Sequence, residues 1–68
     1  MKKNIFESKM KLHGDIQSDL AKFLGISLSR FNAKLNGTDG AEFTRSEIQK
    51  IKERYNLTSE EIDEIFFD

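Results

Sequence analysis

Between Leu28 and Asn36 the chain carries Ser29, Arg30, Asn32, Ala33 and Lys34, and no acid. These side chains are hydroxyl, guanidinium, amide, methyl and ammonium. The Arg30 guanidinium is a planar fork of donors, and the Asn32 amide offers a donor and an acceptor together. Chemistry of this kind is recognition by hydrogen bonding. Covalent and metal chemistry have little to work with, because the chain has no Cys and a single His, His13. Serines and aspartates are plentiful, but His13 lies on an early segment and completes no triad with them. No Gly-rich phosphate loop and no cluster with metal-ligand spacing is present. The expectation is a protein that is not an enzyme and needs no cofactor.

The elements that must position those side chains are marked by glycines and caps. Gly14, Gly25, Asn36-Gly37, Gly40 and Asn56 divide the 68 residues into five short segments. The first runs from about Asn4 to His13, with Ile5, Phe6, Lys9, Met10 and Leu12 near helical spacing and Gly14 as its stop. The second runs from about Ile16 to Leu24. Leu20, Ala21, Phe23 and Leu24 form its apolar stripe, Gly25 ends it, and Asp15 or Ile16 caps its start. The third is capped by Ser27 and spans Leu28 to about Asn36, with Leu28, Phe31 and Leu35 at i, i+3, i+7.

Thr44-Arg45-Ser46-Glu47 fits a capping box, followed by Ile48, Ile51 and Tyr55 on one face. Thr58-Ser59-Glu60-Glu61 repeats that signal ahead of Ile62, Ile65 and Phe66. No period-2 strand exceeds four residues. The predicted class is all-α, five short helices around one core, with residues 1–68 forming a single domain. Within it, residues 17–37 read as two helices joined by Gly25-Ile26-Ser27, a turn of the length a helix-turn-helix requires. Leu20 and Leu24 face the core and Ala21 is small where the helices cross. Ile26 plugs the core under the turn, and Phe31 and Leu35 anchor the second helix from beneath. Its polar outer face has the composition of a helix that enters a DNA major groove.

Composition bounds the rest. The chain is 37% hydrophobic and 34% charged, with no Pro and no Trp. A domain this small has no room for the deep pocket of a typical small-molecule enzyme. No apolar run reaches the roughly 20 residues of a membrane span, and no signal-peptide core is visible, so the default compartment is the cytoplasm. The net charge is −1, but it is unevenly spread. Residues 1–37 hold seven Lys/Arg against three acids, a net +4, and residues 38–68 hold four against nine, a net −5. That asymmetry predicts a basic face and an acidic back.

Gln17, Leu20-Ala21, Leu24-Gly25-Ile26-Ser27 and the closing Asn36-Gly37 together resemble the lambda-repressor-like helix-turn-helix domains of the Cro/CI (XRE) type. The run GISLSRFNAKLNG, a short loop and then EIQKIKERYNLTSEEI are similar to small phage-encoded regulators of Gram-positive bacteria. The resemblance extends over nearly the whole chain. It implies sequence-specific binding of double-stranded operator DNA, as a homodimer, with repression by operator occupancy. It also implies roles by position. Gln17 opens the first helix of the pair, where it meets a phosphate and braces the recognition helix. Ser27, Leu28 and Ser29 approach base edges, as does Ala33. Asn36, Gly37 and Thr38 match a loop that offers backbone N–H groups to phosphate. On chemical grounds Arg30 suits guanine and Asn32 suits adenine, and Leu28 or Ala33 suits a thymine methyl. Lys34, Lys22, Lys9 and Lys11 suit phosphate. The sequence departs from the family at Ile16, where a Thr or Ser cap is usual, and in its net acidity. No effector-binding or cleavable domain is visible, which favours a Cro-like or accessory regulator.

Several residues remain open between roles. Leu28 reads equally as core, as a methyl reader or as a partner contact. His13 reads as an exposed or capping residue at a helix end. Phe66 and Phe67 are adjacent, and one narrow helical face cannot bury both. Phe67 is the one expected outside, either frayed or as a dimer or partner contact. The acids Glu60, Glu61, Asp63, Glu64 and Asp68 read as a solvated face, or as a surface for a basic partner. The alternative function is therefore a protein-interaction module on the same fold, acting on another repressor through its C-terminal helix.

Overall fold

The computed structural model describes residues 1–67, so Asp68 of the acidic run lies outside the described residues. The chain forms α1 (Lys3–Leu12), α2 (Gln17–Leu24), α3 (Leu28–Asn36), α4 (Arg45–Tyr55) and α5 (Ser59–Ile62). A 3₁₀ turn, Thr38–Gly40, lies between α3 and α4, and α5 runs on as a π-helical stretch, Asp63–Phe67. The architecture is all-α and five-helical, as the apolar periodicity predicts. Among the described residues no helix is long and apolar enough to cross a membrane.

The caps explain the boundaries. Ser27 Oγ accepts from Arg30 N at 3.0 Å, which starts α3. Thr44 and Glu47 form the reciprocal capping box of α4, at 3.2 and 2.8 Å. Thr58 and Glu61 form that of α5, at 3.1 and 2.9 Å. At α2 the cap position falls to Ile16, whose side chain accepts nothing. The Asp19 carboxylate compensates by accepting from Ile16 N at 2.9 Å. Asp15 is thereby released from capping and is used elsewhere. Gly25, at φ 75° and ψ 27°, closes α2 in the left-handed region and turns the chain toward α3.

One core unites the helices. Phe6, Leu20, Phe31, Ile51 and Ile65 are fully buried. Phe6 is the hub of an aromatic group, with ring centroids 6.3 Å from Phe31, 5.7 Å from Phe43 and 5.5 Å from Phe66. Lys2 N donates to Ile65 O at 2.7 Å, and Lys9 Nζ to Glu61 at 2.6 Å. The beginning of the chain is thus held directly to its last helix. Phe66 is half-buried in the aromatic group, and Phe67 stands 69% exposed, the partition expected of two adjacent rings.

Two predicted core positions lie outside. Leu12 is 76% exposed, on the side of the last turn of α1 opposite the buried Met10. Phe23 is 40% exposed, with the Arg54 guanidinium 4.6 Å from its ring centroid. A cation over an aromatic face takes the place of apolar packing at that edge.

Candidate nucleic-acid interface

The segment 17–36 folds as α2, a three-residue turn and α3, and α2 and α3 pack against each other. Leu20, Ala21 and Leu24 of α2 are buried, as are Phe31 and Leu35 of α3, and Ile26 is half-buried under the turn. These anchors fix which face of α3 is free. At about 100° per residue, Ser29, Ala33 and Asn36 share an arc of roughly 60°. Arg30 and Asn32 lie on opposite flanks of that arc. Ser29, Arg30 and Asn36 are exposed, and Asn32 and Ala33 are half-exposed. The result is a ridge of small side chains bounded by a long donor and a short amide. It can lie close against a surface while its flanks reach for hydrogen-bonding groups.

Ser27 and Leu28 occupy the start of the same helix. Leu28 is 46% exposed, so of its three readings core is the one the structure removes. The burial of Phe31 and Leu35, not Leu28, holds α3 down.

Lys34 is a correction. It sits in the arc with Phe31 and Leu35, only 6% exposed, and Nζ donates to Glu47 Oε1 at 2.6 Å. The same Glu47 oxygen accepts Thr44 N, so one carboxylate caps α4 and pairs with α3. Burial pushes the Glu47 carboxyl up, but the Lys34 and Thr44 hydrogen bonds outweigh it and hold it below its ordinary value. A lysine so placed braces α3 on α4 and presents nothing to a phosphate. Lys9 is a second correction, since its ammonium is bonded to Glu61. That bond, with Thr58 N, likewise holds the Glu61 carboxyl low.

Lys22 and Lys11 are exposed and enter no ion pair among the described residues. Gln17 is half-buried in the first turn of α2. Its side chain makes no hydrogen bond to α3 among the described residues, so the expected bracing of the recognition helix is supplied by Lys34 and Glu47. Asn36 is engaged: its Oδ1 accepts from Lys3 Nζ at 2.7 Å and its Nδ2 donates to Asn32 O at 2.9 Å. The Gly37 N–H is bonded to Lys34 O at 3.4 Å, leaving less backbone for an anion than the loop reading supposes. Thr38 is exposed, and next to it Asp39 takes φ 52°, a left-handed conformation that an L side chain rarely adopts. Its charge opposes an anion at this loop.

A polar cluster on the far side of α2 escaped sequence reasoning. Asp15 accepts from Arg54 Nε and Nη2, both at 2.8 Å, and from Tyr55 Oη at 2.6 Å. The Arg54 bonds hold the Asp15 carboxyl below its usual range against the opposing effect of burial, with Tyr55 assisting. Burial and the bond to Asp15 push the Tyr55 phenol up. His13 is exposed at the C-cap of α1 and stacks on Tyr55, centroids 4.6 Å apart. The partners are about forty residues apart in sequence, and no local pattern connects them.

No known protein family, curated protein or solved structure matches the chain.

Proposed function

We propose that the chain is a sequence-specific double-stranded DNA-binding regulator of transcription, a Cro-like repressor that acts by occupying its operator. The observation that carries this reading is the free face of α3. It is acid-free, lined by Ser29, Ala33 and Asn36, and flanked by Arg30 and Asn32, on a helix fixed from beneath by Phe31, Leu35 and the Lys34–Glu47 pair. An α-helix with small residues centrally, a guanidinium on one flank and an amide on the other suits the width of a major groove. Arg30 reads a guanine edge and Asn32 an adenine edge. Ser27, Leu28, Ser29 and Ala33 are the remaining base-facing residues. Lys22 and Gln17 meet the phosphates.

The test is selection from a random duplex pool at moderate salt, followed by sequencing of the retained DNA. The expected result is an enriched motif that an Arg30→Ala variant reads less strictly at one base pair. Weak, salt-sensitive retention of all sequences without enrichment would refute the proposal.

A second reading, a protein-interaction module that modulates another repressor, is favoured by one observation: Phe67 stands exposed beside the acids of the last helix. It predicts no enrichment in the same selection.

A further inference from the structure

Arg54, near the end of α4, touches both ends of α2. Its Nε and Nη2 each donate at 2.8 Å to the carboxylate of Asp15, which stands just before that helix. The same guanidinium lies 4.6 Å from the ring centroid of Phe23, in the last turn of α2. Tyr55 Oη also donates to Asp15, at 2.6 Å, so two consecutive residues of α4 hold one carboxylate. The Asp15 side chain is only 9% exposed. At the other end of α4, Glu47 holds Lys34 of α3 at 2.6 Å.

Seven residues separate Glu47 from Arg54, which sets them about 20° apart around α4 and about 10 Å apart along it. Ile51, between them, is fully buried. One face of one helix therefore carries an ion pair to each member of the α2–α3 hairpin. The turn joining those members contains Gly25 in the left-handed region. The apolar burial beneath them is non-directional, so it holds the two helices together without fixing their angle sharply. A bidentate guanidinium–carboxylate pair is directional and does fix an angle.

We infer that Arg54 is a positioning residue, which sets the orientation of α2 relative to α3 by tying α2 to the helix that already braces α3. The inference rests on the DNA reading for the use of that orientation. Gln17 and Lys22, both on α2, reach phosphates only at the angle at which α3 also lies along the base edges. Arg54 itself is not a DNA contact, since its Nε and one Nη2 bond are taken by Asp15 and its guanidinium lies on Phe23. A lysine would not replace it, because a point charge on a flexible stem lacks the fork that makes two parallel bonds. Glu47 and Arg54 thus divide the work: the first turn of α4 steadies the helix that reads, and its last turn steadies the helix that grips the backbone.

Residual dipolar couplings of the backbone amides, with DNA titrations of the same proteins, test this. In Arg54→Met, α2 is expected to turn relative to α3 and α4, while α3 and α4 keep their mutual angle through Lys34 and Glu47. Affinity for the duplex enriched from the random pool should fall about 2–30-fold, and by the same factor on point-substituted duplexes. Arg54→Lys, which keeps the charge and loses the second bond, should do both to a smaller extent, and it carries the test if Arg54→Met does not fold. Thr58→Ala removes the cap of α5 and lowers stability without touching α2, so its affinity should equal that of the wild type. An unturned α2 in the Arg54 variants overturns the inference. So does wild-type affinity in them, a loss confined to one base pair, or an equal loss in Thr58→Ala. If the wild type enriches no duplex, the DNA reading falls by itself. A turned α2 then still sustains the positioning by Arg54, and an unturned one overturns it.

Discussion

Replacing Glu47 by Gln keeps the side-chain shape and an oxygen for Thr44 N, but leaves the Lys34 ammonium buried without a counter-charge. The two side chains are only 5% and 10% exposed, for Lys34 and Glu47, and meet at 2.6 Å, so solvent screens them little. Removing one partner of such a pair costs about 3–5 kcal/mol. Lys34→Met strands the carboxylate instead, although Thr44 N still satisfies it in part, and should cost about 3 kcal/mol. The double variant removes both the attraction and the desolvation penalty. Its loss should be smaller than the two single losses added, by roughly 3 kcal/mol or more. A chain of this length has a total stability of about 3–10 kcal/mol, so either single variant can approach its unfolding midpoint in plain buffer. Urea titrations followed by circular dichroism, in buffer with enough sulfate to keep every variant folded, give the four free energies. A coupling below about 0.5 kcal/mol would place the pair among solvent-screened surface contacts and refute its role as the brace of α3. The same Lys34→Met protein, kept folded, should bind DNA with an unchanged salt slope, because its ammonium never reaches a phosphate.

On the DNA reading, Arg30→Ala should cost about 1–3 kcal/mol at one base pair and relax specificity there, measured by competition with point-substituted operators. Lys22→Ala should weaken all sequences alike and lower the magnitude of the log–log salt slope by about one, in fluorescence anisotropy titrations. Asn56→Gly should raise stability by up to about 1 kcal/mol in thermal unfolding, since Asn56 ends α4 at φ 52° and ψ 47° and a Cβ is strained there. Acid should destabilise the fold. Asp15 and Glu47 both titrate lower in the folded chain than their ordinary values of 3.8 and 4.5, so the unfolded chain binds more protons as pH falls. The stability they contribute is complete above about pH 5 and is lost as pH drops through their folded values. Asp15→Asn should flatten part of that acid limb; an identical limb in the variant would show that Asp15 contributes nothing to it.

The local features of this fold were legible because they are written within a few residues of one another. Two capping boxes, Ser27, and the apolar stripes of α3 and α4 locate helices through bonds that span three or four positions. Long-range electrostatics were not legible. Lys34 has the same local surroundings as a solvated lysine, and its burial depends on where Glu47 arrives after the intervening loop. Asp15 likewise looks like a helix cap until Arg54 and Tyr55 are brought to it. Leu12 and Phe23 show a related limit. Both fit a helical apolar stripe, but whether a stripe's edge meets core or solvent is decided by the neighbouring helix. On α3 the stripe of Phe31 and Leu35 is buried as its spacing predicts, whereas Lys34 and Lys9, read as phosphate contacts, are held by Glu47 and Glu61.

The hold of the chain's beginning on its last helix has a consequence for biosynthesis. Phe6 finds its ring partners at Phe31, Phe43 and Phe66, and Lys2 and Lys9 find theirs at Ile65 and Glu61. When α1 leaves the ribosome, most of these partners have yet to be made. At about 5–20 residues per second, α1 waits roughly 3–11 s with its hub aromatic uncovered. The α2–α3 pair, whose contacts are local, can assemble during that interval. The hairpin proposed to read DNA is then formed before α5 reaches α1 and closes the core that steadies it.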